Sequence, residues 1–264
     1  MDLAYLIIIT VCFLASTVGA ICGIGGGVII KPVLDSTGVM PVTAVSFLSG
    51  CTVLSMSLVS IYKALRAKQD FMFDKLFAIV LALGAVCGGL AGKALYQEIL
   101  KRLDHTDYVG AVQASVLLVL TVGTLAYNVF KKKIPTKHLQ SRIVIFFIGI
   151  VLGMMSSFLG IGGGPMNLVV LFFFFSMTTK QAAMYSIFVI MFSQTASLIS
   201  AVIKGNIPEF HPLILVLMIA CGILGGFTGS TINKKIDNKT VDKLFIGLMT
   251  VIICINIYNI YRFS

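Results

Sequence analysis

Two glycine runs, Gly23-Ile24-Gly25-Gly26-Gly27 and Gly160-Ile161-Gly162-Gly163-Gly164, hold the residues of this sequence best suited to grip a ligand. Glycine has no side chain, so a ligand can come close to the backbone N–H groups of such a run. Each run interrupts an apolar stretch and is followed by another, at 28–34 or 165–175. Pro165, directly after Gly164, suits the first turn of a helix. A helix starting there aims its unpaired N–H groups and the positive end of its dipole at the glycines. In hydrocarbon an unpaired backbone polar group is costly, so non-helical backbone inside an apolar stretch needs a partner. An anion supplies one. The competing reading is that these glycines only permit close helix packing. The runs are denser in glycine than packing requires, which favours the first reading. Gly84, Gly88 and Gly92, and Gly222 and Gly226 with Gly225 and Gly229, instead have the small-xxx-small spacing of helix contacts.

Hydroxyl and amide side chains add candidate ligands. At about 100° per residue, Ser46, Ser49, Ser57 and Ser60 share one narrow helical face, and Ser186, Ser193, Ser197 and Ser200 share another. Neutral donors suit an oxyanion that must bind and then leave, although small residues on one face also serve helix contact. Gln194 and Asn167 are amide donors in the same regions. Lys31, four residues past Gly27, either reaches the membrane surface along its alkyl stem or steers the anion.

The elements that position these groups follow from composition. Of 264 residues, 58% are hydrophobic and 11% charged, against about 25% charged in soluble domains. The solvent is therefore lipid. The net charge of +10 does not indicate nucleic acid, because the Lys and Arg lie in short gaps between apolar runs. With no Trp, the aromatic belt falls to Phe and Tyr, such as Tyr258 and Tyr261. The first twenty residues contain an apolar run with no Lys or Arg before it, and read as a retained membrane segment. Cys12, Cys22, Cys51, Cys87, Cys221 and Cys254 form no C-x-x-C pair and read as small apolar packing residues. His105, His138 and His211 are far apart, so neither a metal nor a cofactor is expected.

A hydrocarbon core about 30 Å thick requires about 20 apolar residues in a helix. Apolar segments run over 3–34, 42–65, 73–96, 107–130, 143–175, 181–203, 212–232 and 241–261. The first and fifth are too long for one straight crossing, and both contain a glycine run. The two runs are 137 positions apart, as are Gly88-Gly89 with Gly92 and Gly225-Gly226 with Gly229. Ser57-Leu58-Val59-Ser60 matches Ser197-Leu198-Ile199-Ser200 at an offset of 140. The expected fold is therefore an all-α polytopic membrane protein built as a first repeat over 1–130, a basic linker over 131–142 and a second repeat over 143–264. Each repeat carries a glycine-broken helix, re-entrant or discontinuous, and three spanning helices. If each broken helix is a re-entrant hairpin, the second repeat is inverted, and 14 Lys and Arg face the linker side against 6 on the other. The 6 are Lys31, Lys93, Lys101, Arg102, Lys204 and Arg262. A single kinked crossing per half would remove that bias. The positive-inside rule favours the inverted arrangement, with the linker cytoplasmic and both termini outside.

The span interiors hold almost no Asp or Glu. Asp70, Asp74, Glu98, Asp104, Asp107, Glu209 and Asp237 lie at span ends or in loops. An intramembrane carboxylate is the usual mark of proton coupling, so passage down the substrate's own electrochemical gradient, or with protons riding on the substrate, is expected. An intramembrane enzyme would need paired acids, an activated nucleophile or metal ligands, and none is found. A passive anion channel on the same scaffold remains the alternative to a transporter.

The paired Gly-Ile-Gly-Gly-Gly runs, with Pro165 after the second, the two halves and the basic linker resemble the TauE/SafE sulfite exporter family across essentially the whole chain. In this chain Val28 follows the first run where Pro165 follows the second. The resemblance implies transport of sulfite, thiosulfate, a sulfonate such as sulfoacetate, or a related small organic anion, with export from the cytoplasm as the usual direction. The implied setting is the plasma membrane. The partners expected are the anion, the lipid bilayer and, as a candidate, a second copy of the chain, with no nucleic acid.

Overall fold

Each glycine-broken stretch folds into two helical arms. In a computed structural model describing residues 3–66, 74–102 and 106–263, the first stretch becomes α1 (Leu3–Cys22) and α2 (Gly27–Thr37). The second becomes α6 (Arg142–Leu159) and α7 (Pro165–Phe175). Between them run α3 (Val42–Arg66), α4 (Lys75–Arg102) and α5 (Thr106–Phe130), and after them α8 (Thr179–Ile203), α9 (Pro212–Lys235) and α10 (Asn238–Phe263). A 3-10 turn over Lys131–Lys133 opens the linker. Every other regular element among the described residues is an α-helix, and eight of them are long and apolar enough to cross a membrane. Asp70, Asp104 and His105 lie outside the described residues.

Local chemistry sets the boundaries. α7 starts at Pro165, whose missing N–H costs nothing in a first turn. α8 starts two residues before the hydrophobic pattern does, because Thr178 and Gln181 form a reciprocal capping box. α9 is capped by His211, with Pro212 in its first turn. α4 runs six residues beyond the apolar pattern's end at 96, into a polar turn where Arg102 pairs with Glu98 at 2.9 Å.

Hydrogen bonds fix which ends meet. In the linker, the N–H groups of Lys137 and Leu139 donate to the carbonyls of Phe173 and Phe174 at 2.7 and 3.0 Å. The end of α7 therefore returns to the level where α6 begins. α2 likewise turns back along α1, since Ile8, Cys12 and Ala15 share a buried cluster with Ile30 and Leu34. The end of α2 meets the end of α10, where Asn259 donates to the Pro32 carbonyl at 2.9 Å and Arg262 to the carbonyls of Asp35 and Ser36. At the opposite, linker end, Asp242 of α10 accepts from Lys131 at 2.7 Å and from Thr179 at 3.1 Å. Also at the linker end, Lys63 of α3 donates to the Phe227 carbonyl at 2.9 Å and to Thr231 of α9.

The helix contacts are reciprocal at the 137-residue spacing. Gly88 and Gly92 of α4 lie against Ile150 and Met154 of α6, while Gly225 and Gly229 of α9 lie against Phe13 and Thr17 of α1. The backbones are close enough that a methyl group at any of these glycines would collide with a facing carbonyl, as small-xxx-small contacts require. The serine faces obey the same spacing: the register pairs Ser60 with Ser197 and Ser49 with Ser186, not Ser57 with Ser197 at 140.

Two expectations are overturned. Lys31 does not reach the surface. It is 3% exposed and its ammonium lies 2.7 Å from Asp35, itself 6% exposed. The helix continues past Leu34 to Thr37, so a carboxylate that the apolar pattern leaves outside is carried inside the bundle. Asp35 is therefore one interior carboxylate absent from the acids placed at span ends and loops, and it is neutralised by Lys31. Lys31 and Lys93, assigned to loops in the charge count, both stand within helices.

Candidate functional site

The two glycine loops meet. A methyl group at Gly25 would lie 3.0 Å from the Gly162 carbonyl oxygen, and one at Gly164 would lie 3.0 Å from a Val28 methyl. Gly27 lies closer still to the Ile161 backbone, where a methyl group would collide with its carbonyl. Two positions on the neighbouring spans close the contact from either side, Val53 of α3 and Ile190 of α8, again 137 apart. Further out the partners exchange between halves: Gly23 lies against Ala183 and Gly160 against Ser46. The loops are buried except at Gly160, which is half-buried.

Their backbones need glycine. Gly23 and Gly25 have φ of 76° and 78°, and Gly160, Gly162, Gly163 and Gly164 all have positive φ, reaching 102° at Gly163. These angles favour a residue without Cβ. The geometry leaves donors unused. Among the described residues, the N–H groups of Gly25, Gly26, Gly27, Gly162, Gly163 and Gly164 donate to no backbone carbonyl. Gly26 caps the start of α2 and Gly164 the start of α7, so two helix N-termini converge on the loop contact. α2 begins at Gly27 without the proline that opens α7.

Side chains around the loops are polar and under-satisfied. Asn167, in the first turn of α7, is buried and both of its amide atoms lack a hydrogen-bond partner. Its Nδ2 would lie 2.6 Å from a methyl group at Gly163. The hydroxyls of Ser49 and Ser186 are buried without partners. Ser49 stands between Ser46 and Val53 on one face of α3, and Ser186 between Ala183 and Ile190 on one face of α8. Ser193 is more settled, donating to Ser156 at 3.0 Å, and Gln194 Nε2 donates to the same hydroxyl at 3.1 Å. A buried polar group left without a partner costs about 1–3 kcal/mol, and such groups in a membrane interior mark functional sites. Lys31 is the exception among the expected ligands: Asp35 occupies its ammonium on α2, away from the loop contact.

Two pockets flank the loops at the same internal spacing. One, toward the end that carries the termini, is lined by Ser46, Phe47, Lys93, Tyr96, Gly160, Gln194 and Ser197, among others. The other, toward the linker end, is lined by Ser60, Lys180, Ala183, Met184, Ser230, Asn233 and Lys234, among others. Ala183, Met184, Ser230 and Asn233 stand 137 positions after Ser46, Phe47, Lys93 and Tyr96. The loop contact thus lies between two small pockets at corresponding positions, one toward each end of the bundle.

Comparison with known proteins assigns this architecture. The model of the family described as sulfite exporter TauE/SafE matches residues 8–255. The chain belongs to the TauE/SafE family. It is also 23% identical over 273 residues to the probable membrane transporter protein YunE of Bacillus subtilis (strain 168), covering 97% of this chain and 98% of that one. No solved structure matches. As a member of the TauE/SafE family the chain is a multi-pass membrane transporter.

Sequence reasoning missed several residues of this TauE/SafE chain that the fold brings near the loops. Tyr96 and Lys93 fell at the edge of an apolar segment whose helix runs further. Gln113 of α5 donates to the Phe158 carbonyl at 2.7 Å and lines the pocket at the terminal end. A lone amide six residues into an apolar span was the available signal. Ser157, another residue of that pocket, was hidden among ordinary small residues of α6.

Proposed function

We propose that this transporter carries a small sulfur-containing or organic oxyanion, of the sulfite, thiosulfate or sulfonate class, and that the two glycine loops are its central binding site. The observation that carries the reading is the meeting of Gly25, Gly26 and Gly27 with Gly162, Gly163 and Gly164, six backbone donors without carbonyl acceptors at two helix N-termini. An anion satisfies such donors, and the dipoles favour negative charge there. Asn167, Ser49 and Ser186 add neutral donors within the same buried region. The contact between the loops is closed and flanked by a small pocket on each side, which favours a carrier that exposes its site to one side at a time over a permanently open pore.

In this reading, 1–130 and 143–264 are inverted repeats joined by the linker 131–142, and the exchange of partners at the 137-residue spacing supports it. Basic residues concentrate at the linker end, which supports a cytoplasmic linker and export outward. Reconstituted protein should show saturable flux of at least one of sulfite, thiosulfate or sulfoacetate, and not of potassium. Flux that rises linearly with concentration and never saturates would replace the carrier with a channel. Labelling of a cysteine at Lys133 by an impermeant reagent in intact cells would reverse the orientation.

A further inference from the structure

We propose that the pocket at the terminal end of the bundle is a second anion site, with Lys93 as its cation, and that it takes a small oxyanion that keeps one hydroxyl hydrogen. The proposal rests on the reading of the chain as an anion transporter and adds a station outside the glycine loops.

Lys93 is half-buried, nine residues before the end of α4, or about 13 Å in from it along the helix axis. A cation at that depth is costly unless it is paired. Lys93 forms no ion pair among the described residues. Its near neighbour is the Tyr96 ring, 5.1 Å from the ammonium. That contact occupies none of the three N–H donors of the ammonium, which remain available to an anion in the pocket. Lys93, Phe47 and Tyr96 line both the inner pocket and a wider outer one that includes Lys101 and Asn206. An anion entering from that end therefore meets Lys101 first, then Lys93, before it reaches Gly160 and the loops.

The neutral groups of the pocket define the ligand further. The buried hydroxyls of Ser46 and Tyr96 have no partner beyond each other, so at least one donor is free. Gln113 differs in kind. Its Nε2 donates to the Phe158 carbonyl, which fixes the amide's orientation and leaves Oε1 buried with no donor. A fully deprotonated oxyanion would present lone pairs to that oxygen. A monoanion such as hydrogen sulfite donates its O–H to Gln113 Oε1 while its charged oxygens accept from Lys93 and Ser46. Every orphaned group is then satisfied at once. The equivalent pocket at the linker end has Ser230 in place of Lys93 and Asn233 in place of Tyr96, with its lysines, Lys180 and Lys234, among the charged residues of the helix ends. The two pockets of the carrier are therefore chemically unlike.

The test is sulfite flux into proteoliposomes, with sulfite-induced thermal shift in detergent as a second readout, at a pH below and a pH above the second pKa of sulfite. Lys93→Gln should raise the half-saturating sulfite concentration about tenfold or more at the lower pH. Lys93→Arg should recover most of that loss, which separates charge from packing. Gln113→Leu should erase the preference of the wild type for the lower pH while leaving flux measurable. Wild-type behaviour of Lys93→Gln in a protein that transports sulfite would remove the site and leave the transport reading standing. An unchanged pH preference in Gln113→Leu would remove the hydroxyl requirement. A wild-type protein that moves none of sulfite, thiosulfate and sulfoacetate would overturn the site and the transport reading together.

Discussion

The two glycine hairpins have the same plan and opposite finish. The α1–α2 hairpin is tied down by its side chains, although the N–H groups of its loop are as free as those of the other. Lys31 is neutralised by Asp35, the last carbonyls of α2 accept from Arg262, and Pro32 receives a hydrogen bond from Asn259. Gly26 sits in ordinary right-handed backbone, with φ −65°. The α6–α7 hairpin has none of these anchors near its loop. The positions 137 after Lys31 and Asp35 are Leu168 and Phe172, every glycine of its run has positive φ, and Asn167 has no partner for either amide atom. Its ties lie at the far end, between Phe173 and Phe174 and the linker. Of two hairpins related by the 137-residue spacing, the first thus carries the anchoring ion pair and the second the unpartnered Asn167 amide beside its loop. We read the first as the fixed wall of the central site and the second as the arm that responds to the ligand.

The largest effect should come from breaking the anchor. Lys31→Met alone leaves the Asp35 carboxylate buried and unpaired, and should cost about 3–5 kcal/mol, seen as a large drop in melting temperature in detergent. Pairing it with Asp35→Leu should recover most of that loss. The equivalent Leu168→Met change in the second hairpin should cost below about 1.5 kcal/mol. Equal sensitivity of the two positions would erase the distinction between the hairpins.

Next come the loops. Gly163→Ala must hold φ near 102° and meets both Asn167 and Ile190. Backbone strain of that kind costs about 1–3 kcal/mol, and flux should fall to background. Gly26→Ala keeps an allowed φ and meets the Ser16 backbone at 3.0 Å, so flux should be reduced but measurable. Valine at either position should block flux while the protein still inserts. A loss in Gly26→Ala as deep as in Gly163→Ala would mean that both loops are equally constrained.

The sequence made this contrast only partly legible. The duplicated runs were visible because glycine at that density inside an apolar stretch has few uses, and Pro165 marked a helix start. The fates of Lys31 and Asp35 were not visible. Hydropathy ends the segment at Leu34, and only the continued helix places Asp35 one turn beyond Lys31. Lys93 and Tyr96 were hidden for the same reason: α4 keeps its helix to Arg102 through residues that read as loop. The register of the serine faces was misjudged because serine recurs every three or four residues and matches itself at 137 and 140 alike. Close backbone contacts, such as Gly225 against Phe13, decide between those registers.

Smaller effects refine the comparison. Asn167→Leu removes a buried amide that has no partner, so stability should hold or rise by up to about 1–3 kcal/mol while sulfite flux falls. A stability loss of that size instead would mean that Asn167 is structural. Lys131→Ala removes a half-exposed pair with Asp242 at the linker end. It should cost less than about 1 kcal/mol and leave flux unchanged.

The most direct measurement is the position of bound sulfite in an experimental structure of the protein in lipid. Sulfite oxygens should lie within about 3 Å of backbone nitrogens among Gly25, Gly26, Gly27, Gly162, Gly163 and Gly164, with Asn167 turned toward the anion. Sulfite bound only at places remote from both loops, with those N–H groups facing protein or lipid, would contradict the account.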